Sequence, residues 1–268
     1  MYKKIILICG MPRSGTSWFG QIFDSSSDVA FRMEPLFAYK FKNIINENST
    51  EEEIISFFND VYLTEDDFIN QKENRNAGVY DVFKKNQTQE FLVVKTTRHH
   101  NLLKRYLDLI DCIEVISIVR HPCAVINSWI NTDREFKSKG CTVENDWKSG
   151  YCRKDGIGEF WGFSDWLSVT RQHIELSKKY QNFNIVEYAN LIKDPEVVIK
   201  YLFNKMSILY TRQTASFLES CHNKHHDDPY SVYKNKEVES AWKDTLNCKI
   251  AEEIIKKTID SGMDQFVK

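Results

Sequence analysis

Proline and glycine are scarce in this chain of 268 residues, at 5 and 10 respectively. Collagen-like sequence and Gly/Pro-rich disorder are therefore excluded. Neither sign of charge is in excess, since Lys+Arg 36 against Asp+Glu 38 leaves a formal net charge of −2. Without a global basic field nothing argues for nucleic acid, and any anion site must be local. Cysteines are present but unpatterned: Cys9, Cys112, Cys123, Cys141, Cys152, Cys221 and Cys248 are an odd number with no CxxC pair. That argues against a disulfide framework and against a zinc ribbon. Long apolar runs are missing too. The first, Ile5-Ile6-Leu7-Ile8-Cys9, is too short for a signal-peptide core or a membrane span. It begins so soon after Met1 that no anchor fits before it, and a soluble cytoplasmic protein is expected. No internal repeat or low-complexity stretch is visible.

What is present is ordinary globular material, 42% apolar and 28% charged, with a generous 13% of aromatics. Short β-branched runs at residues 3–9, 91–95, 113–119 and 183–187 are near-continuous rather than alternating. Such runs suit strands buried on both faces of a parallel sheet. Helical patterns lie between them, at 16–25, 102–110, 124–131 and 159–180. Thr50-Glu51-Glu52-Glu53 reads as a capping box opening another helix, and Pro195 after Asp194 opens the helix 196–206. Strands alternating with helices predict one α/β domain over residues 1–268, a doubly wound parallel β-sheet flanked by helices. Residues 133–158 and 223–238 are polar, with Gly or clustered charge, and are expected to be lid or acceptor loops.

The sharpest feature is Gly10-Met11-Pro12-Arg13-Ser14-Gly15-Thr16-Ser17-Trp18, between the first strand and the first helix. A glycine-bounded turn feeding a helix N-terminus aims several backbone N–H groups at one spot, which makes an anion cradle. The spacing nearly fits the nucleotide-triphosphate loop G-x-x-x-x-G-K-[ST], but Thr16 stands where the lysine belongs and the charge is at Arg13. A kinase also needs an acidic Mg²⁺ ligand at the end of a later strand. The strand 113–119 ends instead in Arg120-His121-Pro122.

The stretch 12–18 resembles the 5′-phosphosulfate loop of the sulfotransferases that use 3′-phosphoadenylyl sulfate (PAPS). The stretch from Val119 to Ser128 resembles that family's 3′-phosphate motif, in which an Arg after the strand and a Ser eight residues on clasp the ribose 3′-phosphate. Where the family usually has Asp, this chain has His121. The resemblance implies the P-loop-like sulfotransferase fold, metal-independent chemistry, and donor contacts from Arg13, Ser14, Gly15, Thr16, Ser17, Trp18, Arg120 and Ser128. It further implies an adenine contact from Tyr188. Ser231 with Lys234 or Lys236 would close over the 3′-phosphate ahead of Trp242-Lys243. Lys95 resembles the family's catalytic lysine, and Arg13 would neutralise charge on departing 3′,5′-ADP.

Two candidates stand for the base. The cytosolic branch of the family places a His two residues after the lysine, where this chain has Thr97. Arg32-Met33-Glu34-Pro35-Leu36 resembles the tyrosylprotein and carbohydrate branches, whose Glu is the base, so Glu34 is preferred over His99. The implied activity is sulfuryl transfer to a hydroxyl or amine of a carbohydrate, a lipid-linked glycan or another small molecule. The rivals are a P-loop small-molecule kinase using ATP and Mg²⁺, and a nucleotide-binding relative without turnover. The residues from His222 to Asp228 read as a solvated loop rather than a metal site. Trp147, Tyr151, Phe160, Trp161, Phe163 and Trp166 are shared between an acceptor floor and helix core. Asn48-Ser49-Thr50 and Asn86-Gln87-Thr88 match glycosylation sequons that matter only in a secreted chain.

Overall fold

The computed structural model describes residues 2–223 and 239–268. Its five strands are β1 (Lys4–Cys9), β2 (Val29–Met33), β3 (Phe91–Thr96), β4 (Ile113–Val119) and β5 (Phe183–Glu187). All pair in parallel in the order β2-β3-β1-β4-β5. The near-continuous apolar runs are explained by this, since both faces are covered. Ile6, Ile8, Val93, Ile116 and Ile118 point to one face. Ile5, Leu7, Leu92, Val94 and Val115 point to the other.

Twelve α-helices surround the sheet among the described residues: α1 (Thr16–Asp24), α2 (Glu51–Leu63), α3 (Lys72–Asn76), α4 (Leu103–Leu109), α5 (Pro122–Ile130), α6 (Val143–Ser149), α7 (Gly162–Lys179), α8 (Tyr188–Lys193), α9 (Pro195–Met206), α10 (Arg212–Asn223), α11 (Trp242–Thr245) and α12 (Cys248–Asp260). The first face is covered by α1, α8, α9 and α10 through Phe19, Phe23, Leu191, Phe203 and Phe217. The second is covered mainly by α2 and α4 through Phe57, Phe58 and Tyr106. A third cluster joins α5, α6, α7 and α12 around Trp129, Phe163, Trp166 and Ile254.

Local chemistry sets the helix ends. The Thr50 hydroxyl accepts from Glu53 N at 3.3 Å while Glu53 Oε2 accepts from Thr50 N at 2.8 Å, the reciprocal box expected at α2. Asp194 caps α9 by accepting from Val197 N. Helix α7 starts later than the pattern 159–180 predicts. Trp161 N donates to Asp165 Oδ2 at 2.8 Å, and Gly162 turns at φ 81°, so regular helix begins only there.

Two expectations need correcting. Cys141 and Cys152 form one disulfide, a single bridge that the argument against a multi-bridge framework does not anticipate. The bond staples the 133–158 stretch, which is not a bare loop but contains α6. Of the candidate acceptor rings, Trp147, Trp161, Phe163 and Trp166 are buried core, while Tyr151 is exposed. No helix among the described residues is long and apolar enough to cross a membrane.

Closing a loop of this size removes chain entropy worth roughly 3 kcal/mol in the unfolded state. The double variant Cys141→Ser/Cys152→Ser should therefore melt several degrees below the wild type. Reductant should bring the wild-type melting curve down to the variant's and leave the variant's where it is.

Candidate active site

The order of strands puts a switch point between β1 and β4, because the chain leaves β1 toward the β2 edge and leaves β4 toward the β5 edge. Ligands of open α/β sheets bind outside the carboxyl ends of the strands at such a point. Every residue singled out on a strand end lies along this edge: Glu34 after β2, Lys95 in β3, the 10–15 loop after β1, Arg120 after β4 and Tyr188 after β5.

The loop after β1 is shaped by two close approaches. A Cβ on Gly15, whose φ is +87°, would fall 2.3 Å from the Tyr188 ring, and one on Gly10 would fall 2.6 Å from the carbonyl oxygen of Ile118. Only glycine fits at either position. Arg13 holds a left-handed φ of 72° between them, a conformation a non-glycine residue keeps only where its surroundings over-determine it. Here they do. Arg13 O accepts from Arg120 Nη1 at 3.0 Å, Arg13 Nε donates to Ser128 Oγ at 3.1 Å, and Arg13 Nη1 lies 3.5 Å from Glu135 Oε2. Helix α1 then begins with no side-chain cap, leaving its first amides to the cradle. The buried Ser14 hydroxyl has no hydrogen-bond partner among the described residues, which suits a loop made for an oxygen-rich anion.

Arg120 completes this end. Its guanidinium lies 4.7 Å over the Tyr188 ring and its Nε donates to Glu239 Oε2 at 2.8 Å. Burial pushes the Glu239 carboxyl up, and Arg120 opposes that. His121 caps α5: its Nδ1 accepts from Cys123 N at 3.2 Å, while its ring stacks on Trp242 at 4.7 Å. Burial, with Arg120 and Lys243 adding repulsion, holds its pKa down at about 4, so the ring is a neutral acceptor at neutral pH.

The other end is built on β2 and β3. Glu34 N donates to Lys95 O at 2.7 Å, and Glu34 itself turns left-handed at φ 44° before Pro35. Its carboxylate is buried. Oε1 accepts from Lys95 Nζ at 3.0 Å, Thr97 N at 2.8 Å and Thr97 Oγ1 at 2.7 Å. Oε2 accepts from Thr96 Oγ1 at 3.1 Å, with Arg98 Nη1 3.9 Å away. Burial alone would raise the Glu34 pKa. The Lys95 and Arg98 charges and the Thr97 and Lys95 hydrogen bonds outweigh it and hold the group at about 2.

The structure thus brings Arg13, Ser128, Arg120 and Tyr188 into one cluster and Glu34 with Lys95 into another on the same edge. Trp18 lies edge-on to Tyr188 at 6.3 Å, and Thr16 and Ser17 open α1. Ser231, Lys234 and Lys236 lie outside the described residues, as do the side chains of His222–Asp228. His99 is buried beside Gly158, and burial pushes its pKa down. Thr96, Thr97, Arg98, Glu159 and Glu239 were missed in the sequence, although the threonines and Arg98 directly follow Lys95. A buried chain was missed as well. Ser117 Oγ and His173 Nδ1 are 2.6 Å apart, and His173 Nε2 is 3.2 Å from His100 Nδ1. Cys9 lies with the two imidazoles, their ligand atoms within 4.8 Å of one another.

Comparison with known proteins adds to this geometry. No protein of curated function matches the chain in sequence. Solved structures do match in fold. The structure of mouse sulfotransferase SULT7A1 complexed with PAP is 12% identical, covering 100% of this chain and 91% of its own at a TM-score of 0.58. A sulfotransferase from Alicyclobacillus acidocaldarius is 9% identical, with 100% and 96% covered at 0.56. The sulfotransferase domain from the curacin biosynthetic pathway is 15% identical, with 96% and 97% covered at 0.55. The sequence profile of the sulfotransferase family matches residues 6–212, so this chain, with its glycine-bounded loop, its Arg120 and its five-stranded parallel sheet, belongs to the sulfotransferase family.

Proposed function

We propose that the protein transfers a sulfuryl group from PAPS to a hydroxyl or amine of a carbohydrate, a lipid-linked glycan or another small molecule. The observation that carries the reading is the convergence of Arg13, Arg120 and Ser128 on one spot beside uncapped α1 amides. This donor set is matched to a phosphate-rich nucleotide: two guanidinium forks, hydroxyls and free amides. The Ser14, Thr16 and Ser17 hydroxyls would hold the 5′-phosphosulfate. Arg120 and Ser128 would hold the 3′-phosphate, with Tyr188 beside the base. When bound, the donor supplies the sulfuryl group and leaves as 3′,5′-ADP (PAP).

The chain's own residues then have separable tasks. Arg13 and the α1 amides stabilise charge that builds on the leaving phosphate, as donors fixed in advance do best. Lys95 faces the transferring group, and Glu34 takes the acceptor proton. A carboxylate with a pKa of about 2 is ionised at neutral pH but is a weak base. The ion pair with Lys95 at 3.0 Å accounts for much of that weakness. Glu34 becomes the stronger base when Lys95 turns away from it toward the reacting centre. The acceptor side is favoured by exposed rings close to Glu34 in sequence, Phe37 and Tyr39, with Phe68 at 5.9 Å from Phe37.

Titration calorimetry should give micromolar binding of 3′,5′-ADP without metal and no preference for ATP with Mg²⁺. Arg120→Ala should weaken that binding by about 10- to 100-fold, the worth of charge-assisted hydrogen bonds to a phosphate. Glu34→Gln should bind 3′,5′-ADP within about twofold of wild type and lose transfer from [³⁵S]PAPS by about 100-fold or more. Tight ATP·Mg²⁺ binding with indifference to 3′,5′-ADP would put the kinase reading first.

Stability should report the same carboxylate. The folded Glu34 pKa of about 2 lies below its ordinary value of 4.5, so the stabilisation it provides is complete above that value and is lost as pH falls toward 2. The melting-temperature difference between wild type and Glu34→Gln should be constant from pH 8 to 6 and change as the solution is acidified below about pH 4.5. A difference that stays flat down to pH 3 would contradict the burial of an ionised group here.

A further inference from the structure

Arg98 and Glu159 have no task in the scheme above, yet both are buried against it. Arg98 lies just beyond β3, with its side chain 12% exposed. Its Nη1 is 3.9 Å from Glu34 Oε2, its Nε donates to Glu159 Oε1 at 3.3 Å, and its guanidinium lies 4.0 Å over the Phe37 ring. Phe37 closes the turn that Glu34 opens. Glu159 is fixed in its turn: Oε2 accepts from Asp155 N at 2.8 Å, and Oε1 lies 3.8 Å from Arg153 Nη1. The backbone is fastened at the same place. His99 N donates to Gly158 O at 2.8 Å, and a Cβ on Gly158 would fall 2.3 Å from His99 Nδ1.

We propose that Arg98 is a positioning residue for the Glu34 carboxylate, oriented by Glu159, and that it holds the carboxylate in the orientation that leaves Oε2, its less engaged oxygen, for the acceptor proton. The proposal rests on the reading of Glu34 as the base. Its geometry distinguishes the two oxygens. Oε1 is engaged by Lys95 and by both donors of Thr97, whereas among the described residues Oε2 accepts from the Thr96 hydroxyl alone. Arg98, at 3.9 Å, exerts its field on Oε2 without occupying its remaining lone pair. A guanidinium is suited to this because its planar fork can face two carboxylates and stack on a ring at once. A lysine ammonium, a single point charge, cannot keep all three contacts. The charged and titratable groups that face Glu34 are Lys95 and Arg98, with His99 and His100 beyond them. Glu159 faces it only across Arg98. Because both imidazoles have their pKa values pushed down by burial, they are neutral at neutral pH, and Lys95 and Arg98 set the field.

The test follows the Glu34 carboxyl directly by ¹³C NMR pH titration of the ligand-free protein labelled at glutamate. Glu34→Gln supplies the assignment. Sulfate release from [³⁵S]PAPS with water as the acceptor, and calorimetric binding of 3′,5′-ADP, are measured beside it. Wild-type Glu34 should show no titration down to about pH 3.5. In Arg98→Met the midpoint should rise by at least about one pH unit, because a cation that disfavours protonation is gone, and sulfate release should fall about tenfold or more. Arg98→Lys should keep the low midpoint yet recover only part of the turnover. Binding of 3′,5′-ADP should stay within about twofold in both. An unmoved midpoint in Arg98→Met overturns the proposal, and so does a loss of 3′,5′-ADP affinity parallel to the loss of turnover. If Glu34→Gln releases sulfate at the wild-type rate, the base reading falls. If Glu34→Gln is inactive while Arg98→Met behaves as wild type, only the role of Arg98 falls.

Discussion

A buried carboxylate keeps its charge only where the surroundings replace the water it has lost, and the β2–β3 end of this site is organised around that demand at Glu34. Lys95, Thr96, Thr97 and Arg98 follow one another along a single stretch of backbone, and all four turn a side chain or an amide toward the same two oxygens. Consecutive residues of a strand point to opposite faces, so four neighbours can converge only where the strand is ending. Strand β3 ends at Thr96. The left-handed turn at Glu34 brings the carboxylate to that point from β2, and the hydrogen bond from Glu34 N to Lys95 O fixes the register between them. Two backbone irregularities and one buried charge thus support one another, and none would be stable alone.

The Arg120 end follows the opposite logic, with buried cations in need of anions. Arg120 is satisfied on one edge by the carbonyl of Arg13 and on another by Glu239, and its flat face rests on Tyr188. The same Tyr188 ring leaves no room for a side chain at Gly15. Loop shape, aromatic platform and guanidinium orientation are therefore one packing problem rather than three features. An anion arriving at Arg120 meets a guanidinium already paired with a carboxylate. On the proposed reading, binding there would be an exchange of partners, in which a phosphate has the advantage of more oxygens and more charge.

Much of this was legible because it depends on local chemistry. The glycine-bounded loop after β1, the strand ends that carry Lys95 and Arg120, the capping box at Thr50 and the buried parallel strands each leave a pattern within about ten residues. What was not legible depends on long-range pairing. Glu239 meets Arg120 across 119 positions, and Glu159 meets Arg98 across 61. Neither side chain carries a local sign of its partner. The Cys141–Cys152 bond was missed for a related reason. An odd cysteine total speaks about frameworks of several bridges and says nothing of one bridge closing a single loop. The aromatic run from Trp147 to Trp166 was ambiguous because rings that pack a core and rings that line a pocket have the same spacing; only the arrangement of α5, α6, α7 and α12 assigns Trp147, Trp161, Phe163 and Trp166 to the core and leaves Tyr151 exposed.

His121 shows why a departure from a family pattern has to be read through its chemistry. The position before Pro122 needs an acceptor for the exposed amide of Cys123 and must not place an unbalanced charge beside Arg120. Asp meets the first need with a full negative charge. His meets it with a lone pair, provided its ring stays neutral, and burial against Trp242 next to Arg120 and Lys243 keeps it so. His121 thus supplies the cap without bringing a charge of its own beside Arg120. Glu239 occupies that neighbourhood instead. The negative charge beside Arg120 thus comes from a residue distant in sequence, and the start of α5 does not depend on it.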